Sequence, residues 1–452
     1  MREFFTDKNI LISGTTGFVG KVLLEKILRT IPRIGKIFLL IRSKPKFTLQ
    51  QRMFKEIFKS ELFIPLFKER PELVDIIKEK VIPINGDLVI EGLGLDPVIR
   101  ATLCNEVEII LNTAASINFN DPIRDALQIN YYGAERMLAL AHDCKNLIAI
   151  HHVSTIFVNT NLPYGSVIDE EIYPFKEGVD WEEFVFKLSK MEPQDLEREE
   201  PNILKEFNFP NTYTLTKSLA EKAFQKKRKN LRVSITRPAI ITACVKYPFI
   251  GWTDSIAAAG AIAFQIGMGI SNVDLNSEDV PGAFIPCDYS VNAIMLATAM
   301  SAMLPTPSLT VYQVTATINN VTQSQFFKSG VEYLQNNPWS AAIAPYKKIQ
   351  NETTMKDFKR KSFFNIYLQD LKIKALSLPY VGNKKAIKLE KKKLKMMYAS
   401  YGITANIVGY FRLKKEMHRV EKLIAMSTKL NKEEAELFEV DVRKLDLIFH
   451  GK

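Results

Sequence analysis

The stretch KNILISGTTGFVGKVLLEKILR, Lys8 to Arg29, decides the fold. Its first part, Lys8 to Ser13, is an apolar run of strand length. Its second, Val19 to Arg29, sets Val22, Leu23, Lys26 and Ile27 at helical spacing. Gly14, Gly17 and Gly20 lie at the junction, so the order is strand, glycine turn, helix. In that setting a glycine-spaced turn has a specific use. Gly14 takes the tight backbone turn, Gly17 clears space where a pyrophosphate approaches, and Gly20 permits close packing of helix on strand. Free amides at the helix start face the phosphates. The expected cradle is Gly14, Thr15, Thr16, Gly17, Phe18, Val19 and Gly20, and its ligand a dinucleotide.

Working outward, a second strand from Lys36 to Ile41 ends in Arg42-Ser43-Lys44. An acidic residue at this place holds the ribose hydroxyls of NAD, whereas a cation suits the additional phosphate of NADP. The first carboxylate after Ile41 is Glu56, so Arg42 and Lys44 point to NADPH. Further strands are expected at Val81–Ile84, Glu108–Asn112, Leu147–Val153 and Arg232–Thr236, with helices between. That alternation predicts an α/β fold, a doubly wound parallel sheet of Rossmann type. After the third strand, Asp87 and Leu88 reach the adenine side. After the fourth, Thr113, Ala114 and Ala115 let the backbone approach the cofactor. Pro238 follows the sixth.

The chemistry is carried by NTYTLTKSLAEKAF, Asn211 to Phe224. Tyr213 and Lys217 are four residues apart and share a helix face. A tyrosine titrating near pH ~10 is a poor acid at neutral pH until its surroundings are adjusted. A lysine ammonium and a positive nicotinamide both favour phenolate and bring the proton closer to transfer. A hydroxyl must hold the substrate oxygen beside the tyrosine. Thr155 or Ser154, at the end of the fifth strand, supplies it, with Thr155 preferred. Asn130 either anchors a water or backbone group beside the lysine or simply starts a helix. His151 and His152 read as strand residues. The chain has five histidines and no ligand-like cluster, so no metal is expected.

At 452 residues the chain can hold two units, expected as residues 1–350 and 351–452, with the boundary near Pro345 to Asp357. Cys104, Cys144, Cys244 and Cys287 are scattered and read as reduced thiols facing the cytosol. No signal peptide or membrane-spanning run is seen. The tripeptide His450-Gly451-Lys452 is no recognised address. The chain is therefore expected to be soluble or peripherally attached to a membrane such as endoplasmic reticulum or peroxisome. Residues 340–452 hold 25 Lys+Arg against 12 Asp+Glu, while the rest of the chain holds 36 against 38. The basic character thus belongs to the C-terminal part and is densest at Asn383–Met397. That segment suits an anionic membrane surface, the phosphates of coenzyme A, or plain solvent. Without a recognition motif, nucleic acid is not expected. Sixteen residues without a charge, Ser255 to Ile270, read as a core helix or substrate wall, with membrane contact as the alternative.

These motifs together resemble the extended short-chain dehydrogenase/reductases, and among them the fatty acyl-CoA reductases. The resemblance rests on the glycine turn (Ser13 stands where a threonine is usual), Gly86-Asp87-Leu88, HVSTIFVN from His152, and PNTYTLTKSLAEKAF from Pro210. RPAII from Arg237, IPCDYSVNAI from Ile285 and LFEVDVRKLD from Leu437 continue it. It implies NADPH-dependent reduction of a long-chain fatty acyl-CoA to a primary alcohol through an aldehyde. Tyr213 would serve the oxygen with Thr155, and Lys217 would hold the nicotinamide ribose. It also implies that the long connection between Thr155 and Tyr213, acidic and aromatic from about residue 169 to 210, walls an acyl-chain pocket. Without that likeness the connection reads as a surface flap. The alternatives are an extended reductase acting on another carbonyl, a two-electron reductase that releases aldehyde, and a scaffold that only binds the cofactor.

Overall fold

Seven apolar runs pair side by side in the computed structural model. It describes residues 1–255, 259–270, 273–275, 278–319, 321–344, 350–379, 382–405 and 409–446. The strands are β1 (Ile10–Ser13), β2 (Ile37–Ile41), β3 (Val81–Asn85), β4 (Ile109–Asn112), β5 (Ala149–Val153), β6 (Val233–Pro238) and β7 (Leu309–Val314). All pair in parallel, in the order β7-β6-β5-β4-β1-β2-β3. Such a sheet is covered on both faces, which explains the unbroken apolar runs. Ile10 and Ile12 enter one core cluster and Leu11 the other, the period of two expected of a strand. Strand order reverses between β1 and β4, and there the sheet opens a crevice at its carboxyl end. The sequence reading finds six of these strands and stops short of β7.

Helix α1 (Phe18–Thr30) follows the glycine turn. The long connection after β5 folds into α2 (Trp181–Lys190) and α3 (Pro193–Glu206). Then comes α4 (Thr212–Lys227), whose N-terminus is capped by the Asn211 side chain accepting from the Thr214 amide at 2.9 Å. This helix is buried on both sides. Ala220 and Phe224 join the core beneath the sheet, while Leu215, Leu219 and Ala223 pack on Phe175, Leu196, Phe207 and Phe209 of the connection. The connection is therefore a clamp on α4 with its own small core.

Within Ser255–Ile270 the structure has a helix at Ala259–Gly267, and residues 256–258 lie outside the described residues. Ile266 packs with Phe284, Phe327, Val331 and Leu334, so part of this run is core, though Phe264 is exposed. Helix α5 (Cys287–Ala302) is almost wholly buried.

Beyond residue 350 two parts behave differently. Helices α6 (Met355–Leu376) and α7 (Lys384–Ile403) pack on each other as a hairpin. Residues 409–446 instead return to the core of the seven-stranded sheet: Phe411, Leu423, Phe438, Val440 and Val442 share one cluster with Ile10, Ile12 and Leu24. Met417–His418 adds a short parallel pair to Val167–Ile168, and Glu170 accepts from the amides of Gln313 and Lys422 at 2.9 and 2.7 Å. The hairpin begins near the expected boundary, at Met355. His450, Gly451 and Lys452 lie outside the described residues. Among the described residues no helix is long and apolar enough to cross a membrane.

Candidate active site

The glycine turn is built for close approach. Gly14 has φ +79°, and a Cβ there would lie 2.8 Å from the Ala114 amide nitrogen. A Cβ on Gly20 would lie 2.3 Å from the Gly14 carbonyl oxygen, so α1 can pack here only on glycine. Gly17 is the exposed residue that starts α1, and its amide donates to the Gly14 carbonyl at 2.9 Å. Thr15 is fully buried, yet its hydroxyl has no partner among the described residues. An orphaned hydroxyl beside a helix N-terminus and a side-chain-free turn fits a phosphate-bearing ligand. Thr16, Phe18 and Val19 are half-buried around it, with Phe18 on the Trp252 ring.

The other cofactor candidates divide. Arg42 is exposed at the end of β2. Lys44 is bonded to Glu56 at 2.7 Å, so its charge is already partnered. Asp87 is half-buried, and its carboxylate accepts from the Val89 amide at 3.1 Å. Leu88 is buried against Gly133. Thr113, Ala114 and Ala115 continue β4 over the turn, the Thr113 hydroxyl donating to the Ser13 carbonyl at 2.6 Å. Pro238 closes β6, and its carbonyl accepts from the Thr155 hydroxyl at 3.4 Å.

Tyr213 and Lys217 sit on the sheet-facing side of α4. Burial pushes the Tyr213 phenol up to about 12, opposed by a hydrogen bond with the Thr155 side chain. Thr155 and Tyr213 therefore meet at the carboxyl end of β5. Ser154 is buried beside them with its hydroxyl unpartnered. The Tyr213 ring packs on Phe119, Phe119 on Phe411, and Phe411 on Phe157. The returning C-terminal segment thus supplies an aromatic lining that motif spacing does not show.

Lys217 is completely buried, its ammonium disfavoured to about 8 by desolvation, with Glu221 acting the other way. Its Nζ donates to the Val153 carbonyl at 2.6 Å and meets His152 Nε2 at 3.3 Å. Asn130 lies in a stretch of wide helical turns, Leu127–Tyr132. Its Oδ1 accepts from the Ser116 amide at 2.9 Å, and its Nδ2 donates to the Thr216 hydroxyl at 3.2 Å. It anchors backbone next to the lysine. Sequence reasoning missed Ser13, Asn112 and His152 as neighbours of this site, and Phe119 and Phe411 as its walls. Among the described residues no cluster of metal-ligating side chains occurs.

Residues 12–294 match the family model described as Male sterility protein. Fatty acyl-CoA reductase 1 of Mus musculus is 34% identical over 318 residues, 70% of this chain and 59% of that protein. The chain thus matches less than two thirds of that relative's length. Fatty acyl-CoA reductase 1 of Rattus norvegicus is 30% identical over 446 residues, 98% of this chain and 82% of that protein. Among solved structures, the terminal R domain of the myxalamid PKS-NRPS pathway has a TM-score of 0.57 at 19% identity, covering 96% of this chain and 85% of that one. The reductase (R) domain of a nonribosomal peptide synthetase from Mycobacterium tuberculosis gives 0.57 at 14%, covering 96% and 86%. These two likenesses concern the fold, a Rossmann-type sheet with a mainly helical C-terminal region. With its dinucleotide turn and its Tyr213–Lys217 helix in place, the chain belongs to the fatty acyl-CoA reductase family.

Proposed function

We propose that this protein reduces long-chain fatty acyl-CoA to the primary alcohol, through the aldehyde, with NADPH as reductant. The observation that carries the reading is the meeting of Tyr213 and Thr155 at the end of β5, with Lys217 Nζ held nearby on the Val153 carbonyl. NADPH is preferred because Arg42 ends β2 and no carboxylate follows before Glu56.

When bound, NADPH supplies hydride to the carbonyl carbon. The two hydroxyls of Thr155 and Tyr213 hold the carbonyl oxygen as it gains charge. In the first reduction that oxygen returns to a carbonyl as the carbon–sulfur bond breaks and coenzyme A leaves as thiolate. In the second, the alkoxide takes the proton of Tyr213 and alcohol results. Two hydrides are used per thioester. Lys217 keeps an N–H for the ribose hydroxyls, and Thr15 with the α1 amides takes the pyrophosphate.

The basic hairpin suits contact with an anionic membrane. Residues 355–403 carry 13 Lys+Arg against 3 Asp+Glu, which accounts for most of the net +11. Phe363, Phe364 and Tyr367 stand 67%, 59% and 50% exposed on α6, large rings left half or more uncovered. Cationic and apolar groups on one hairpin are the pairing that lipid surfaces retain.

The test of the chemistry is Tyr213→Phe. Turnover should fall by at least ~10²-fold, the share of a general acid, with NADPH affinity unchanged. Activity within a few-fold of the parent protein removes Tyr213 from the acid role.

A further inference from the structure

Strand register brings three polar side chains into line beneath Lys217. Ser13 of β1 stands opposite Asn112 of β4, and Asn112 opposite His152 of β5. All three are at most 1% exposed. Their hydrogens can be assigned by counting.

Ser13 Oγ accepts from the amides of Thr113 and Ala114, both at 3.2 Å. Both lone pairs are then used, so its own hydrogen must be donated, and Asn112 at 2.7 Å is the acceptor. That fixes the Asn112 oxygen toward Ser13 and its NH₂ toward His152 Nδ1, 3.1 Å away. Nδ1 must therefore accept, and the neutral ring carries its hydrogen on Nε2. Nε2 faces Lys217 Nζ at 3.3 Å. An N–H directed at Nζ requires a lone pair there, which only the uncharged amine has.

We propose that Ser13, Asn112 and His152 form a positioning relay that holds Lys217 as a neutral amine before cofactor and substrate arrive. The amine accepts from His152, donates one hydrogen to the Val153 carbonyl and keeps the other for the cofactor ribose. Protonating Lys217 requires the Nδ1–H form of His152, hence a reversed Asn112 amide. The Ser13 hydrogen is then left without its acceptor in a dry interior, a costly arrangement. The titratable neighbours of Lys217 are Tyr213 and Glu221 on α4 and His152 on β5. Glu221 is bound to Arg237 of β6 at 2.6 Å. His152 itself faces Asn112, Lys217 and the Phe224 ring, with His151 as its chain neighbour. Burial keeps His152 uncharged, and burial also lowers Lys217, to about 8. An ammonium beside Tyr213 brings its proton closer to transfer, so the neutral amine keeps Tyr213 a weak acid until cofactor and substrate arrive.

The relay rests on the reductase reading only for its purpose, and the two are separable by experiment. In cofactor-free protein labelled with 15N and 13C, the nitrogen shifts of His152 report its tautomer without any turnover. A protonated Nε2 with a bare Nδ1 is expected; a protonated Nδ1 or an imidazolium overturns the relay whatever the substrate. Asn112→Asp presents only acceptors, so it compels Nδ1–H and frees Nε2 for a lysine ammonium. In that variant the tautomer should switch, and the alkaline limb of kcat should move down by ~1 pH unit or more. A folded variant with parental tautomer and parental pH profile contradicts the proposal. Should the variant not fold, the tautomer of the parent protein decides alone.

Discussion

Arg42 and Lys44 carry the same charge at the end of the same strand, yet the structure separates them. Lys44 is committed to Glu56, and Arg42 stands exposed where the second strand meets the crevice. Arg42→Glu should therefore weaken NADPH by at least ~10-fold while leaving NADH nearly unaffected, measured as dissociation constants for both cofactors. Equal losses for the two remove Arg42 from the phosphate site. At this scale the sequence was legible wherever chemistry depends on local spacing. Three glycines and a Tyr–Lys pair at i and i+4 are written in short runs. Ser13, Asn112 and His152 were not legible as a group, because they are separated by 99 and 40 residues and meet only through register across three strands. His152 reads correctly as a strand residue, but its partner on α4 could not be read. Thr155 and Ser154 were left open by adjacency. Thr155 lies near enough to Tyr213 to oppose the upward push of burial on the phenol, and the Ser154 hydroxyl is buried without a partner among the described residues.

Among the elements, α4 shows what a pattern of apolar residues leaves out. Its spacing puts Tyr213 and Lys217 on one face, but does not show that the connection carrying α2 and α3 covers its outer face and buries it from Thr212 to Phe224. The acidic and aromatic composition of that connection does not show that α2 and α3 clamp α4, which depends on tertiary packing. Strand β7 escaped notice because LTVYQV, Leu309 to Val314, mixes polar and apolar residues behind a proline-bearing loop. Its outer edge is covered by the short pair at Val167–Ile168 and by Glu170, contacts made with distant sequence. The α6–α7 hairpin yields the prediction at this scale. Phe363→Asp combined with Phe364→Asp should leave the melting temperature nearly unchanged, since both rings are exposed. Sedimentation with phosphatidylserine vesicles should fall by ~10-fold or more, and residual binding should vanish at high salt. Undiminished sedimentation of the double variant contradicts membrane contact through α6.

For the molecule as a whole, the return of residues 409–446 matters more than any composition boundary. Leu423, Phe438, Val440 and Val442 are all 0% exposed in a cluster with β1 and α1. Burying each contributes roughly 1.5–3 kcal/mol, and together they approach the whole stability of an ordinary domain. A chain ending at residue 350 should therefore aggregate or melt without a cooperative transition, read by calorimetry. A folded and active 1–350 fragment shows instead that the C-terminal part is an independent unit. Length leaves room for two units, but neither length nor surface charge reports which apolar residues share a core. The central claim is tested by one assay. Purified protein is given NADPH and C12 to C18 acyl-CoAs, cofactor consumption is followed, and the products are extracted and identified. Primary alcohol at two NADPH per thioester is the predicted result. Aldehyde at one NADPH, or no consumption by a protein shown to bind NADPH, contradicts it.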